Sequence, residues 1–199
     1  MKLQIKYNKT TLREFQKQLT VRKKALPTLK NKEAALRAMV LETRRELEKA
    51  KLERDAVEKE IEPWKILWNE FDFSLLKVKE VRISNSKVAG ILIPRFEGVK
   101  SQRQEFAMTA SPDWFSDGLP KLEKLFHALA KHQVMKERLA LLEGARKKAT
   151  QKVNLFEKVQ IPSLESAIRQ IKRYLEDEDN LSKAAQKLLK SKIQKEELP

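Results

Sequence analysis

The sequence contains no cysteine, only four glycines among 199 residues, and no long apolar run. The lack of cysteine excludes disulfides and thiolate metal sites, and it is compatible with a reducing compartment. No stretch approaches the roughly eighteen apolar residues that a membrane span needs, and the opening residues MKLQIKYNK lack the apolar core of a signal peptide. We therefore expect a soluble, cytoplasmic protein without direct membrane insertion, which a partner could still hold at a membrane.

Charge dominates the composition. Charged residues make up 36% of the chain and the mean hydropathy is −0.60, which argues against a thick globular core. The net charge of +15 is divided as +7 in residues 1–62, +1 in residues 63–120 and +7 in residues 121–199. Residues 1–32 hold ten Lys or Arg and a single acid, Glu14. Such a field attracts nucleic acid, anionic lipid or an acidic protein surface without choosing among them.

A heptad repeat runs through residues 12–64 and predicts a coiled-coil helix. Twelve of its sixteen a and d positions are apolar. These positions are Leu12, Phe15, Leu19, Arg22, Leu26, Leu29, Glu33, Leu36, Val40, Thr43, Leu47, Ala50, Arg54, Val57, Ile61 and Trp64. The helix should begin at residues 8–11, with Thr11 and Glu14 as a capping box, and Pro27 should interrupt it with a kink. Trp64, Trp68 and Phe71 should cap its far end, with base stacking as the alternative.

A second apolar stripe follows Pro120 and predicts a partner helix. Its positions are Leu122, Leu125, Leu129, Met135, Leu139, Leu142, Arg146, Ala149, Val153 and Phe156, and then Ile161, Leu164, Ile168, Ile171 and Leu175. Between Phe156 and Ile161 the repeat slips, so the helix should unwind or bend there. The two stripes predict a rigid rod of two antiparallel helices in which facing residue numbers add up to about 187. Lys6, Lys9 and Arg13 should then face the acidic residues 176–179.

The middle of the chain predicts a small β-hairpin. Residues 78–84 and 88–94 are short and rich in β-branched side chains, and residues 85–87 between them should form the turn. Pro94 should end the second strand, and residues 95–120 should be an irregular connector. Ser111 and Pro112 should begin a short helix within it. The apolar second strand should pack on the Trp-rich helix end or offer itself to another protein.

No pattern of catalysis or metal binding emerges. The segment GARKKAT at residues 144–150 lacks the second glycine of a phosphate loop and lies within a helical pattern. His127 and His132 are five residues apart and share no helical face, and the acidic run 176–179 lacks the glycine and spacing of a calcium loop. We predict no catalytic residue, no cofactor and no metal site.

Three segments resemble the D subunit of the V-type, vacuolar and archaeal, rotary ATPases and ATP synthases. They are TLKNKEAAL at residues 28–36, VAGILIPRF at residues 88–96, and QKVNLFEKVQIPSLESAIRQIKRYLEDED at residues 151–179. The third is the most specific. Its matching residues are Val153, Asn154, Leu155, Glu157, Val159, Ile161, Pro162, Leu164, Ile168, Ile171, Leu175 and Glu176. Glu33, Pro27 and the pair Gln151 and Lys152 depart from the family pattern.

The resemblance implies a mainly α fold, with a long antiparallel two-helix coiled coil and an island of a small β-hairpin and a short helix between its arms. The segments would be residues 1–74, 75–120 and 121–199. It also implies a non-catalytic central-stalk rotor subunit that transmits torque between the catalytic A and B subunits and the membrane rotor. The implied partners are those catalytic subunits, a small F-type central-stalk subunit and a membrane-side connector subunit, and no nucleic acid is expected.

Two sets of residues are predicted to bind partners. Unpaired lysines at the ends of the chain should face the catalytic hexamer, and apolar side chains of the hairpin should contact a regulatory or assembly partner. The candidates are Lys23, Lys24, Lys30, Lys32, Lys190 and Lys192 for the first set, and Ile83, Val88, Ile91 and Ile93 for the second. The alternative function is a basic coiled-coil module that binds nucleic acid, or a generic adaptor.

Overall fold

A computed structural model describes residues 5–104 and 112–196, with side chains up to residue 192. Two long helical stretches precede and follow a two-stranded antiparallel sheet, which confirms the predicted mainly α fold. The elements are α1 (Lys9–Ile61), three short 3-10 turns (Glu62–Trp64, Leu67–Glu70 and Phe73–Leu75), β1 (Leu76–Val88), β2 (Ile91–Arg103), α2 (Phe115–Asn154), a π turn (Leu155–Gln160) and α3 (Ile161–Glu196).

Helix α1 confirms the predicted heptad repeat. Each of the sixteen a and d positions is buried or half-buried. The Oδ1 of Asn8 accepts a hydrogen bond from the backbone N–H of Thr11 at 2.7 Å, so Asn8 is the N-cap and the predicted capping box of Thr11 and Glu14 is wrong. Helix α1 continues through Pro27, and the predicted kink there stays a prediction.

The chain forms two compact units, Met1–Asn31 with Ala149–Pro199 and Lys32–Lys148. In the first unit Phe15 packs with Leu164, Ala167, Ile168 and Ile171. The rings of Tyr7 and Tyr174 lie 4.9 Å apart. Tyr7 precedes Phe15 in the sequence, whereas Tyr174 follows the α3 residues of the cluster. Early residues of α1 therefore face late residues of α3, and the pairing is antiparallel.

The predicted register is confirmed by ion pairs within each unit. Lys30 pairs with Glu157 in the first unit and Arg44 with Glu143 in the second, and both pairs of residue numbers add up to 187. The predicted contacts of Lys6, Lys9 and Arg13 with residues 176–179 are not found among the ion pairs of the described residues. The register therefore rests on the ion pairs of Lys30 and Arg44.

The second unit also contains an antiparallel helix pair, with α1 packed against α2. Leu36 and Leu142 are fully buried, and Arg138 reaches Glu46 at 3.4 Å across the pair. Thr43, a seam position, is 1% exposed, and its Oγ1 has no hydrogen-bond partner among the described residues. A buried hydroxyl of this kind costs stability because it loses its hydrogen bonds to water and gains none.

The β-hairpin is longer than predicted, and its turn lies elsewhere. Val88 pairs with Ile91, so the turn is Ala89 and Gly90, whose φ angles are +49° and +79°. Two successive positive φ angles match the twist of the flanking strands, which explains why the turn forms here. Residues 85–87, predicted as the turn, pair with residues 92–94 instead. These three residues are polar and so resemble a turn, but their side chains alternate between the two faces as in a strand.

Pro94 does not end the second strand, and residues 95–103 are not an irregular connector as predicted. Pro94 faces Asn85 within the ladder, which is possible because each strand of a two-stranded sheet has a free edge on which a missing N–H breaks no ladder bond. Two register shifts bend the hairpin, one opposite Gly98, which has a φ of +147°. That conformation strains a residue with a side chain, so glycine is needed at this bulge.

The second arm begins earlier than predicted and contains the predicted slip. Helix α2 starts at Phe115 and contains Pro120. The predicted separate short helix at Pro112 is therefore wrong. Ser111, its predicted N-cap, lies outside the described residues. The π turn occupies the slip between Phe156 and Ile161, where the N–H of Ile161 bonds the carbonyl of Phe156. This wider hydrogen bonding confirms the predicted local unwinding. The division into three segments stays a prediction, and both compact units contain parts of both arms.

We expect Thr43→Val to raise the free energy of unfolding by about 1 kcal/mol, because it removes an unpaired buried hydroxyl and keeps the side-chain shape. Thr20→Val is the matched control, since Thr20 is exposed and its hydroxyl donates to the carbonyl of Gln16 at 2.9 Å. Urea denaturation followed by circular dichroism measures both variants. A loss of stability in Thr43→Val would contradict the assignment of an unpaired hydroxyl.

Candidate protein interfaces

The candidate sites are surfaces. No group of three or more His, Asp or Glu side chains in the described part of the chain is arranged to hold a metal ion. The ring of His127 lies 4.9 Å from that of Phe96. Burial and the nearby charges of Arg54 and Lys136 lower the pKa of His132. No helix in residues 5–104 or 112–196 has the length and apolar character needed to cross a membrane.

In the first unit, two of the predicted partner-binding lysines already have partners. The Nζ of Lys23 lies 2.7 Å from Glu165, and the Nζ of Lys30 lies 2.6 Å from Glu157. The hydrogen bond from Lys23 also lowers the pKa of Glu165. The prediction that these two lysines are unpaired is therefore wrong. Sequence reasoning missed the pairs because the acids lie more than 120 residues away on the facing helical segment.

Three predicted lysines of the first unit remain exposed without an ion pair among the described residues. They are Lys24 on α1 and Lys190 and Lys192 on α3. The α3 residues from Leu181 to Lys192 are all exposed, apolar Leu181, Leu188 and Leu189 included, and they contain four lysines and no acid. This part of α3 therefore presents a basic and apolar surface. Its role in binding a partner stays a prediction.

The hairpin candidates divide between its two faces. Ile83 is 44% exposed, whereas Ile93 is 1% exposed and belongs to the core of the second unit. Val88 and Ile91 are half-buried opposite each other beside the turn. Alternation along the strand decides this division, and it could not be read from the sequence because the predicted turn was misplaced. Ile83, Val88 and Ile91 remain candidates for partner binding.

The hairpin turn lies near the remaining predicted lysine. The Nζ of Lys32 lies 3.7 Å from the position that a Cβ on Gly90 would take. Lys32 belongs to the same compact unit as the hairpin and has no ion pair among the described residues. Two predicted sets of residues, the lysines and the hairpin, therefore meet at this point of the second unit.

The outer strand of the hairpin carries apolar residues that sequence reasoning missed. All residues from Lys77 to Ile83 are exposed, Val78 and Val81 among them. Leu92 on β2 is 64% exposed. The alternation of residues along β1 could have revealed this exposure, because Ser84 and Ser86, which point inward, are small and polar, whereas Val81 and Ile83 lie on the other side. These residues and Ile83 form the exposed face of the hairpin.

A carboxylate on α2 anchors the base of the hairpin. Glu123 accepts hydrogen bonds from Arg103 at 2.9 and 2.6 Å and from the hydroxyl of Ser101 at 2.9 Å. The bonds from Arg103, and that from Ser101 less strongly, hold the pKa of Glu123 below its ordinary value. Such paired bonds between arginine and a carboxylate fix geometry as well as charge. Sequence reasoning missed this group because its strand continues beyond Pro94.

Aromatic side chains join the hairpin to the helix end, as predicted for the Trp-rich segment. Phe71, Leu75 and Leu76 form one buried cluster with Phe115, Leu119 and Leu122. The rings of Trp68 and Trp114 pack edge to face at 5.2 Å, and Lys121 lies 3.7 Å above the ring of Trp64. Gly118 is close-packed here, since a Cβ would lie 3.0 Å from Trp114. Ile66 and Phe73 remain exposed beside this cluster.

The geometry defines a class: a helical coiled-coil protein with a packed hairpin and exposed apolar and basic surfaces. A model of the ATP synthase D subunit family matches residues 11–191. The chain belongs to this family. It is 28% identical to the V-type ATP synthase D subunit of Borreliella burgdorferi over 95% of both chains. It is 27% identical to the protein of that name from Chlamydia muridarum over 98% of both chains, and 26% identical to that of Chlamydia pneumoniae over 98% of this chain and 95% of the relative.

The anchor at Glu123 predicts a pH dependence of stability. Because the folded pKa of Glu123 lies below its ordinary value of 4.5, its contribution is present above about pH 4.5 and is lost as the pH falls through the lower folded value. At pH 7 we expect Glu123→Gln to lower the free energy of unfolding by about 1 kcal/mol, since Arg103 is half exposed and screened. The difference from the parent chain should shrink in acid.

Urea denaturation at a series of pH values from 7 downward measures this difference. Glu137→Gln is the matched control, because Glu137 is an exposed α2 carboxylate that accepts a bond from Gln133 at 2.8 Å. Its effect should be small. A Glu123→Gln effect that persists unchanged to the lowest pH would show that the carboxylate charge is not responsible.

Proposed function

We propose that this chain is the central-stalk rotor subunit of a V-type ATPase or ATP synthase. It transmits torque between the catalytic hexamer of A and B subunits and the ion-translocating rotor in the membrane. A small F-type subunit and a membrane-side connector subunit bind it, and ATP chemistry takes place in other subunits. The protein is held at the membrane through the complex. Membership of the D subunit family over residues 11–191 is the observation that supports the proposal most strongly.

Helix pairing supplies the physical basis for torque transmission. Rotating one helix against the other would pull seam side chains such as Leu36 and Leu142 out of their packing and expose them to water. Replacing one buried leucine by alanine lowers the free energy of unfolding by about 2 to 5 kcal/mol, so unpacking several leucines at once is strongly opposed. Cross-helix ion pairs such as Arg44 with Glu143 oppose sliding as well. A helix pair of this kind passes a twist along itself.

Positive charge supports association with the hexamer. Exposed, unpaired charges attract an oppositely charged surface over distances of about 10 Å and raise association rates more than they raise affinity. Among the candidates of the first unit, Lys24, Lys190 and Lys192 meet this condition, whereas Lys23 and Lys30 are neutralised by their partners. The first three lysines are therefore the better candidates.

We expect the triple variant Lys24→Glu, Lys190→Glu and Lys192→Glu to associate with the A and B hexamer about tenfold more slowly at low salt, with the difference fading as salt is added. Stopped-flow association kinetics measure the rate, and circular dichroism verifies helicity. The matched control reverses Lys49, Lys51 and Lys59, three exposed α1 lysines outside the candidate interfaces, and changes the net charge equally. Equal rates for the triple variant and the parent chain at low salt would overturn the assignment.

The alternative function, nucleic-acid binding, makes a different prediction in the same variants. A nucleic-acid binder loses affinity steeply with salt in proportion to the phosphates that it neutralises. It would also lose affinity in both triple variants, because both remove the same charge. Tight, sequence-tolerant DNA binding by the parent chain that the Lys24, Lys190 and Lys192 variant abolishes would favour this alternative over the rotor function.

The hairpin is proposed to mediate assembly or regulation through its exposed face. We expect Ile83→Ala to leave the free energy of unfolding within about 0.5 kcal/mol of the parent chain, while it weakens co-purification with the complex or changes its ATP turnover. Ile93→Ala, at a buried position of the facing strand, should instead cost about 2 to 5 kcal/mol of stability. Denaturation and reconstituted ATPase assays measure both effects. Unchanged assembly and turnover in Ile83→Ala would remove Ile83 from the interface.

A further inference from the structure

The π turn of the first unit results from one extra residue in the apolar seam. Seam positions normally recur after three and four residues, but Ile161 follows Phe156 after five. The π turn absorbs this residue, so that Leu164 and Ile168 still face α1. The hydrogen bond from the N–H of Ile161 to the carbonyl of Phe156 spans the insertion. Such turns are rare within α-helices, and they recur at functional sites.

A second defect faces the π turn from α1. Pro27 has no N–H to bond the carbonyl of Lys23, and its ring crowds that carbonyl. A solvent-open groove of about 440 Å³ lies at this level and is lined by Leu26, Pro27, Glu157 and Ile161, among others. The weak points of both helices therefore lie at the same level.

Packing between the helices is also loose here. No side chain of residues 16–31 or 150–163 is buried, whereas those of Leu164, Ala167, Ile168 and Ile171 just beyond them are. Polar contacts cross this level. The Nε of Arg22 donates to Gln160 at 2.7 Å, and the Lys23 and Lys30 ion pairs are half exposed. Exposed pairs of this kind contribute little to stability each.

We propose that residues 20–31 and 153–161 form a compliant segment, in which the two helices open and close locally while the Phe15 cluster stays packed. Polar contacts suit such a segment because they break and re-form in water without exposing a large apolar surface. In a rotor, local opening would take up part of an applied twist as elastic strain. That purpose rests on the proposed rotor function, but the local opening itself does not.

Hydrogen exchange of the full chain, followed by mass spectrometry, tests the proposal. Amides of the compliant segment should exchange at least about tenfold faster than those of residues 164–171, since local openings there need less free energy than unfolding of the packed cluster. Pro27→Ala should slow exchange in residues 23–31 about tenfold, because alanine restores the hydrogen bond to Lys23 and is the stronger helix former. Deletion of Val159, an exposed π-turn residue, should slow exchange in residues 153–161 by returning the seam step to four.

Pro120→Ala, a proline substitution within α2 in the other compact unit, is the matched control and should leave exchange in the compliant segment unchanged. If the compliant segment of the parent chain exchanges as slowly as residues 164–171, the proposal is overturned. This outcome does not depend on whether the deletion variant folds. Unchanged exchange in Pro27→Ala would also overturn the proposal. The rotor function is tested separately by assembly with the hexamer, so slow exchange in a chain that assembles normally would refute the compliant segment alone.

Discussion

Each helix of the pair buries one narrow stripe of side chains against its neighbour, and every other feature of the fold depends on this burial. The stripe follows the heptad repeat, so the a and d side chains of α1 leave water while most positions between them stay exposed. Arg22 and Arg54 occupy seam positions but remain half-buried, because their long side chains carry the charge to the rim. There Arg22 bonds Gln160, and Arg54 bonds Asp55 and Glu58. The seam therefore tolerates charge without placing it in the core.

The hairpin solves a different problem, since two strands alone are marginally stable in water. Here the base is held by the aromatic cluster around Phe71 and by the anchor at Glu123, and Ile93 is buried further along β2. These contacts use β2 and the first residue of β1, so residues 77–83 of β1, with Val81 and Ile83, stay exposed. Stability and partner binding can thus be assigned to different strands of one small sheet. The same separation makes Ile83 and Ile93 an informative pair for mutation.

Ion pairs also decide which of the many lysines remain available to a partner. Glu157 and Glu165 neutralise two lysines that the sequence shows within a run of basic residues. Exposed lysines such as Lys24, Lys190 and Lys192 carry the excess that can act on a partner. The two paired lysines serve the helix pair instead, within the proposed compliant segment. Their loss should affect local opening before it affects association.

The sequence by itself determined the elements that depend on short, regular spacing. The seam of α1, the antiparallel register and the slip before Ile161 were all readable, because helical periodicity is a local property of the chain. The family was readable too, from the segment at residues 151–179. Only the tertiary structure decided where Ala89 and Gly90 turn the hairpin, that Ile93 is core while Ile83 is surface, and which lysines have partners. These depend on contacts between residues far apart in sequence, such as Arg103 with Glu123 or Lys23 with Glu165, whose free energy no local pattern records.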